Sequence, residues 1–312
     1  MNQKTKVFML SIGLMFCLGA CKKKKTTKPI KRPSTQKSTQ KTPLKKGAAK
    51  LSSQVVLASQ VKWEQLNPKR GDKSPKAATL WGDRKGKVAT GFLVKFVDGF
   101  RSPPHIHNVT YKGVVISGLV HNDDPKAADM WMPAGSFWTQ PKGEEHVTAA
   151  KGKTNVAFIE IEKGPYLVMP SKKAFDSGER PVNVDPSNIV WLDASQLNWM
   201  APNGTKASGN GAKVAFLWGK VEKGQLNGTF VKLPSGSAGI LHTQGALLRA
   251  VTIKGRHKYT EPGKKKIKTL EPGSYFSSKG KTAHQITCEK GSDCILYVRT
   301  KGTYQFSSAK AK

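Results

Sequence analysis

The chain has 312 residues, and its 53 Lys and Arg against 20 Asp and Glu give a formal net charge of +33 at pH 7. This length admits one large or two small domains. The apolar run near the N-terminus, 13 residues long, is too short for a membrane-spanning helix, which excludes a transmembrane anchor there.

Residues 1–20 are organised like an export signal. Lys4 and Lys6 precede the apolar run Val7–Gly19. The run ends in Leu18-Gly19-Ala20-Cys21, which resembles the lipobox of bacterial lipoproteins. The resemblance implies a palmitate-type acyl anchor on Cys21, a mature chain that starts there, and a lipid-anchored position in the cell envelope, periplasmic or outer-surface. A secretory signal that merely ends near a cysteine is the alternative.

Residues 21–50 are predicted to form a disordered tether after the lipidated cysteine. Positions 22–50 contain 11 Lys, one Arg and no acidic residue, so the segment has too little apolar surface to offset its ordering entropy. Lys22 to Lys25 can lie on anionic headgroups, at about 1 kcal/mol per charge. A polybasic tail also suits nucleic acid, but the export signal argues against that, and we expect no nucleic-acid partner.

The remaining 262 residues keep 39 basic and 20 acidic side chains. Outside the cytoplasm this surplus favours attraction to anionic envelope polymers or lipids. A generally basic proteome explains the surplus equally well, and the sequence does not separate the two explanations.

An internal repeat divides the chain into two domains, at 51–180 and 181–312. Trp81-Gly82 recurs 137 residues later as Trp218-Gly219. The same offset, with a slip of one residue in the second half, relates the pairs His105 and His242, Gly118 and Gly255, His146 and His284, and Tyr166 and Tyr304. Both copies are rich in short Val, Ile, Phe and Thr stretches separated by Gly, Pro, Asn and Asp, which predicts an all-β sandwich or small barrel.

Two motifs in the first copy carry the chemistry. Gly99, His105, His107 and Gly118 fit the first cupin motif, G(x)5HxH(x)3–4E(x)6G, with Tyr111 or Lys112 at the acidic position. The second motif, G(x)5PxG(x)2H(x)3N, is matched by Gly135, Pro141, Gly143 and His146, with Ala150 at its final position.

With the repeat, these motifs resemble the cupin superfamily over most of 60–310. The resemblance is greatest to tandem-cupin proteins known only as a domain of unknown function. It implies two tandem cupin barrels (double-stranded β-helix, or jelly-roll) in one bicupin unit.

A metal site is predicted at His105, His107 and His146. Residues two apart in a strand share a face, so His105 and His107 both enter the barrel, and His146 can add a third nitrogen from a returning strand. Three neutral imidazoles with open positions suit one divalent ion of Fe, Zn, Ni, Cu or Mn. We place Tyr111 at the pocket and Lys112 on the other face, because the cation would be repelled. An ancestral site that no longer binds metal is the alternative.

The second copy has lost part of this pattern. His242 and His284 remain, but Gln244 replaces the second histidine and Leu248 takes the acidic position. We expect a vestigial site in a structural barrel, or a dry ligand pocket.

Other residues are weaker candidates. Tyr111 and Glu145 could act catalytically, although Glu145 and Glu144 suit a solvated turn better. His121 is predicted in a turn and His257 on the solvated surface. Trp131 and Trp138 could line a pocket mouth, but core packing is favoured.

Cys288 and Cys294 flank a turn-rich stretch between β-type runs. An oxidising compartment lets such a pair bond across a hairpin, so we predict a structural disulfide.

Three functions are compatible with the sequence. The first is a metal-dependent enzyme, dioxygenase-like or isomerase-like, acting on a small organic molecule. The second is a non-catalytic metal or small-molecule binder or sensor, similar to the cupin modules of zinc-binding anti-sigma factors. The third is an envelope scaffold. Fold alone does not separate them.

Overall fold

The structure, a computed structural model, describes residues 53–200 and 211–309. The predicted signal peptide, Cys21 and the tether lie outside these residues. In the described part, no helix is long and apolar enough to cross a membrane.

Strands dominate the described residues. The first half forms β1 (Ser53–Val56), β2 (Glu64–Gln65), β3 (Lys76–Trp81), β4 (Thr90–Phe96), β5 (His105–His107), β6 (Tyr111–Asp123), β7 (Phe137–Gln140), β8 (Val147–Ile161), β9 (Val168–Pro170) and β10 (Val182–Val184). The second half forms β11 (Leu192–Asp193), β12 (Lys213–Gly219), β13 (Leu226–Leu233), β14 (Ala238–Thr243), β15 (Gly245–Lys254), β16 (His257–Thr260), β17 (Ile267–Leu270), β18 (Tyr275–Gly280), β19 (Ala283–Cys288), β20 (Cys294–Lys301) and β21 (Tyr304–Ala309). Short 3₁₀ helices span Ala58–Gln60, Pro68–Lys73, Ser171–Lys173, Pro186–Asn188 and Ala194–Gln196.

Two seven-stranded antiparallel sheets repeat one strand order. The first runs β10-β7-β6-β8-β4-β3-β2, and the second runs β1-β18-β15-β20-β13-β12-β11. A five-stranded sheet, β17-β16-β19-β14-β21, completes the second barrel, and the pair β5-β9 closes the first. The all-β expectation is confirmed.

The two barrels exchange edge strands. β1 precedes the first barrel but pairs with β18 of the second, whereas β10 lies beyond residue 180 and pairs with β7 of the first. Each barrel thus covers the sheet edge of the other, and both belong to one compact unit. Covering an edge strand removes a row of unpaired backbone groups.

Apolar side chains fill both barrels and the layer between their sheets. In β4, Phe92 and Val94 face the interior of the first barrel, while Leu93 faces the second barrel, as the two-residue period of a strand requires. Between the sheets, Trp81 stacks on Tyr275 with ring centroids 4.8 Å apart.

One buried ion pair crosses this layer. Arg299 Nε lies 3.4 Å from Glu160 Oε2, and both side chains are almost fully enclosed. Burial raises the pKa of the Glu160 carboxyl, and the guanidinium of Arg299 opposes that shift.

The predicted disulfide is present. Cys288 at the end of β19 and Cys294 at the start of β20 are bonded, with a Cα–Cα distance of 5.7 Å. The bond closes the hairpin turn between the two strands.

Candidate metal centre

β5 and the residue directly before β8 bring three histidines together. His105 and His146 exchange two backbone hydrogen bonds, with N···O distances of 3.1 and 3.0 Å. His107, two residues along β5, lies on the same face. The three side chains are buried, and one ring nitrogen of each lies within 4.8 Å of the others. The predicted set therefore forms a cluster that can hold a metal ion.

Backbone carbonyls fix how these rings are protonated. The Nδ1 atoms of His105, His107 and His146 lie 3.0, 3.0 and 3.2 Å from the carbonyl oxygens of Pro103, Leu167 and Glu144. Because a carbonyl only accepts, each Nδ1 carries the proton and donates it. Each Nε2 keeps a lone pair, which is the arrangement found behind metal-binding histidines.

Burial keeps the three rings neutral. Desolvation lowers the pKa of His105 and is the largest cause of the low pKa of His107, to which His146 and His105 add repulsion. It also lowers the pKa of His146 to about 3. Neutral imidazole is the form that binds a cation, so the site is ready at neutral pH.

Tyr111 lies beside the triad, as predicted. Its hydroxyl donates to Asn122 Oδ1 at 2.9 Å and lies 3.5 Å from His146 Nε2. Asn122 Nδ2 in turn donates to Gln140 Oε1 at 2.8 Å. The ring of Trp138 packs over Gly113, where a Cβ would meet it at 2.2 Å, so only glycine fits there.

Tyr166 is a site residue that the sequence reasoning missed. Its ring stacks on His107 with centroids 4.4 Å apart, and its hydroxyl lies 3.2 Å from His107 Nε2. The sequence signal for Tyr166 was its recurrence as Tyr304. That recurrence indicates the internal repeat but does not indicate that Tyr166 lies at the histidine cluster.

A cavity of about 390 Å³ opens onto these groups. Its walls are mainly apolar, and they include Val94, Phe96, Phe100, Trp138 and Ile159. Its polar lining comes from Asn67, Arg70, Ser102, Asn122 and Thr148, besides His105, His107 and the two tyrosines. The volume is typical of pockets for small organic ligands, ~300–1,000 Å³.

Comparison with known proteins identifies the family. Residues 54–307 match the family model described as Domain of unknown function (DUF4437). The chain belongs to this family. No curated protein sequence matches it significantly.

Among the solved structures similar to this DUF4437 chain, the first two below share its fold. A dioxygenase candidate from Nostoc punctiforme is 12% identical and aligns over 80% of this chain and 82% of its own, with a TM-score of 0.59. AerE from Microcystis aeruginosa is 12% identical over 77% and 96% of the chains, with a TM-score of 0.50. A variant of oxalate decarboxylase from Bacillus subtilis is 12% identical over 82% and 78%, with a TM-score of 0.44. The architecture is the cupin, or jelly-roll, type.

The second barrel of this chain has no matching cluster among its described residues. β14 pairs with β19 so that Leu241, and not His242, stands opposite His284. His242 therefore lies on the other face, where its Nε2 is 3.0 Å from Ser307 Oγ. Gln244 is exposed and bonds to Gln305, and Leu248 is in the apolar core.

His284 is instead held in a hydroxyl network. Tyr259 and Ser278 lie 2.8 and 2.7 Å from its two ring nitrogens, and Thr282 is 3.2 Å away.

Two histidines lie elsewhere than predicted. His121 is buried within β6 and not in a turn, because β6 stays paired with β8 through Asp123. His257 is fully buried on β16 and not on the surface, since the cations beside it face outward. Neither belongs to the triad.

Glu145 lies in the turn before β8. It lines a separate surface cleft with Glu144, Phe175 and Arg180, and it does not line the histidine cavity. Trp138 is buried and lines the cavity, whereas Trp131 is half-buried and stacks loosely on His121. Lys112 faces away from the site, where it pairs with Glu162 and lies over the ring of Trp218.

Proposed function

We propose that the first barrel binds one divalent transition metal and acts on a small organic molecule, with chemistry of the dioxygenase or isomerase type. One observation carries this proposal: three neutral imidazoles, each anchored through Nδ1, form a buried cluster, and two of them, His105 and His107, line a mainly apolar cavity. The description of the Nostoc punctiforme neighbour as a dioxygenase candidate agrees with that chemistry.

The donor set fits such an ion. His105, His107 and His146 would hold it, and the set contains no carboxylate, so it suits Fe(II), Zn, Ni, Cu or Mn. A bound ion would supply Lewis-acid or redox chemistry at this end of the cavity.

The chain's own residues prepare the cavity for a reaction. The apolar walls exclude water, which strengthens polar interactions inside. Burial raises the pKa of the Tyr111 and Tyr166 hydroxyls, so both phenols stay protonated. The Tyr111 proton is donated to Asn122, so its oxygen is free to accept a hydrogen bond from a bound molecule. The chain of hydrogen bonds from Tyr111 through Asn122 to Gln140 holds that hydroxyl in place.

A second function, binding without catalysis, is favoured by one contact. The Tyr166 hydroxyl lies 3.2 Å from His107 Nε2, and its oxygen would fill a fourth coordination position if a bound ion displaced its proton. Cobalt(II) substitution separates the two functions. Weak visible bands of a five- or six-coordinate ion, with water in the open positions, support the enzyme; intense bands of a closed four-coordinate ion support the binder. Failure to bind any metal refutes both.

We also propose that the protein is a lipoprotein of the cell envelope, held to its membrane by Cys21. The support is the apolar run and the lipobox-like sequence, followed by a basic segment suited to anionic lipids or polymers. The full-length protein from cells should partition into detergent, and Cys21→Ser should shift it to the aqueous phase. Equal partitioning of the two would refute the lipid anchor.

A further inference from the structure

Arg70 is the charged side chain at the cavity. Among the lining residues that the structure describes, none is a carboxylate and Arg70 is the one permanent cation. It forms no ion pair with a described residue; its polar contact is a 3.5 Å hydrogen bond to the Arg101 carbonyl. An unpaired guanidinium beside an apolar cavity is a strong attraction for an anion.

The loop that carries Arg70 is braced. Leu66 N donates to Pro75 O at 2.8 Å, and Asn67 N donates to Ser74 Oγ at 2.9 Å, which ties the two ends of the loop together. The guanidinium lies over the Phe100 ring, 5.1 Å from its centroid. Both arrangements hold the charge at the exposed mouth of the cavity before any ligand arrives.

The two ends of the cavity differ in chemistry. The exposed Arg70 marks the mouth, and the buried histidines, Tyr111 and Tyr166 mark the floor. Apolar side chains such as Phe96 and Ile159 line the space between. A ligand complementary to these three regions has an anionic group at the mouth, an apolar body along the walls and a polar reacting end at the floor.

We infer that the first barrel selects small amphipathic carboxylates, with Arg70 binding the carboxylate at the mouth while the apolar body lies against the barrel wall. This inference builds on the proposed function by naming its substrate class. It depends on Arg70 and the apolar wall, however, and not on an ion being bound.

A matched pair of probes tests it. Calorimetry with the full-length protein compares 2-naphthoate with 2-naphthamide, which has the same shape and no charge. We expect the carboxylate to bind about threefold more tightly, which is the order of magnitude of ion pairs made by solvent-exposed side chains. Arg70→Gln should remove the preference and leave amide binding unchanged, whereas Arg70→Lys should keep part of it. Arg101→Gln is the control, since Arg101 is paired with Asp129 at 3.1 Å and does not line the cavity.

The affinities of both probes are measured for the metal-loaded and the metal-free protein. A preference for naphthoate that persists in metal-free protein and in His105→Ala supports the inference, even if the protein proves to bind no metal. A preference that survives Arg70→Gln, or that appears only with metal loaded, overturns it, because the ion would then hold the anion. Equal affinity for both probes, or no binding of either, also overturns it.

Discussion

Alternation along single strands decides which side chains reach the metal centre. Tyr111 and Lys112 are neighbours in β6, but only Tyr111 faces the histidines; Lys112 Nζ lies 2.8 Å from Glu162 Oε1 on the opposite face. The strand period thus keeps the Lys112 cation away from the histidine cluster. The histidine positions could be read from the motif spacing. The carbonyls that orient His105 and His146 are local, at Pro103 and Glu144, whereas the one that orients His107 comes from Leu167, 60 residues away.

His257 is the residue whose environment departs most from expectation. It is fully buried, neither ring nitrogen has a hydrogen-bond partner, and burial lowers its pKa to about 3. Its neighbours Arg256 and Lys258 point outward, as strand alternation requires. In the sequence, this alternation of cation, histidine and cation was the signal that His257 points inward.

Replacing His257 should change how stability depends on pH. In the unfolded chain the imidazole has a pKa near 6.5, so it binds a proton below that pH. The folded chain does not bind this proton until about pH 3. The free energy of unfolding therefore falls as the pH is lowered between these values. Between pH 7.5 and 5, the wild type should lose about 2 kcal/mol more than His257→Leu. Urea unfolding of both at the two pH values measures the difference. Parallel losses in both proteins would contradict the buried, neutral state of His257.

At the scale of elements, sequence periodicity and motifs predict where the strands lie better than they predict which strands pair. The strands, the repeat and the Cys288–Cys294 pair follow from local sequence. The one-residue shift of β14 against β19 does not, because it depends on side-chain packing inside the second barrel. The exchange of β1 and β10 between the barrels does not follow from local sequence either, because β1 pairs with residues more than 200 positions away.

Strand β1 should stabilise the second barrel and not the first. Val55 and Leu57 pack on the core of the second barrel, and the Ala58 amide donates to Ser274 Oγ at 3.0 Å. A chain starting at residue 51 keeps these contacts and should be soluble and folded. A chain starting at residue 59 should lose about 2 kcal/mol of stability, from the lost burial of two apolar side chains.

Hydrogen exchange locates this effect. Amides of β18 should exchange faster in the shorter chain, while those of β6 keep their protection. Equal stability of the two chains, or faster exchange confined to the first barrel, would argue against the strand exchange.

On the scale of the whole molecule, two barrels built on the same strand order have different interiors. The first combines three imidazoles with a cavity, and the second encloses His284 among hydroxyls of Tyr259, Ser278 and Thr282. The apolar layer between the sheets joins them. Stability comes mainly from apolar burial in a domain of this size, so loss of an ion should not unfold either barrel.

Metal content per mole of purified protein tests this asymmetry most directly. His105→Ala, His107→Ala or His146→Ala should abolish stoichiometric metal, because two imidazoles hold a divalent ion too weakly against water. His242→Ala and His284→Ala should leave the content largely unchanged, with circular dichroism as the control for folding. Metal that persists in His105→Ala and disappears in His284→Ala would contradict the account.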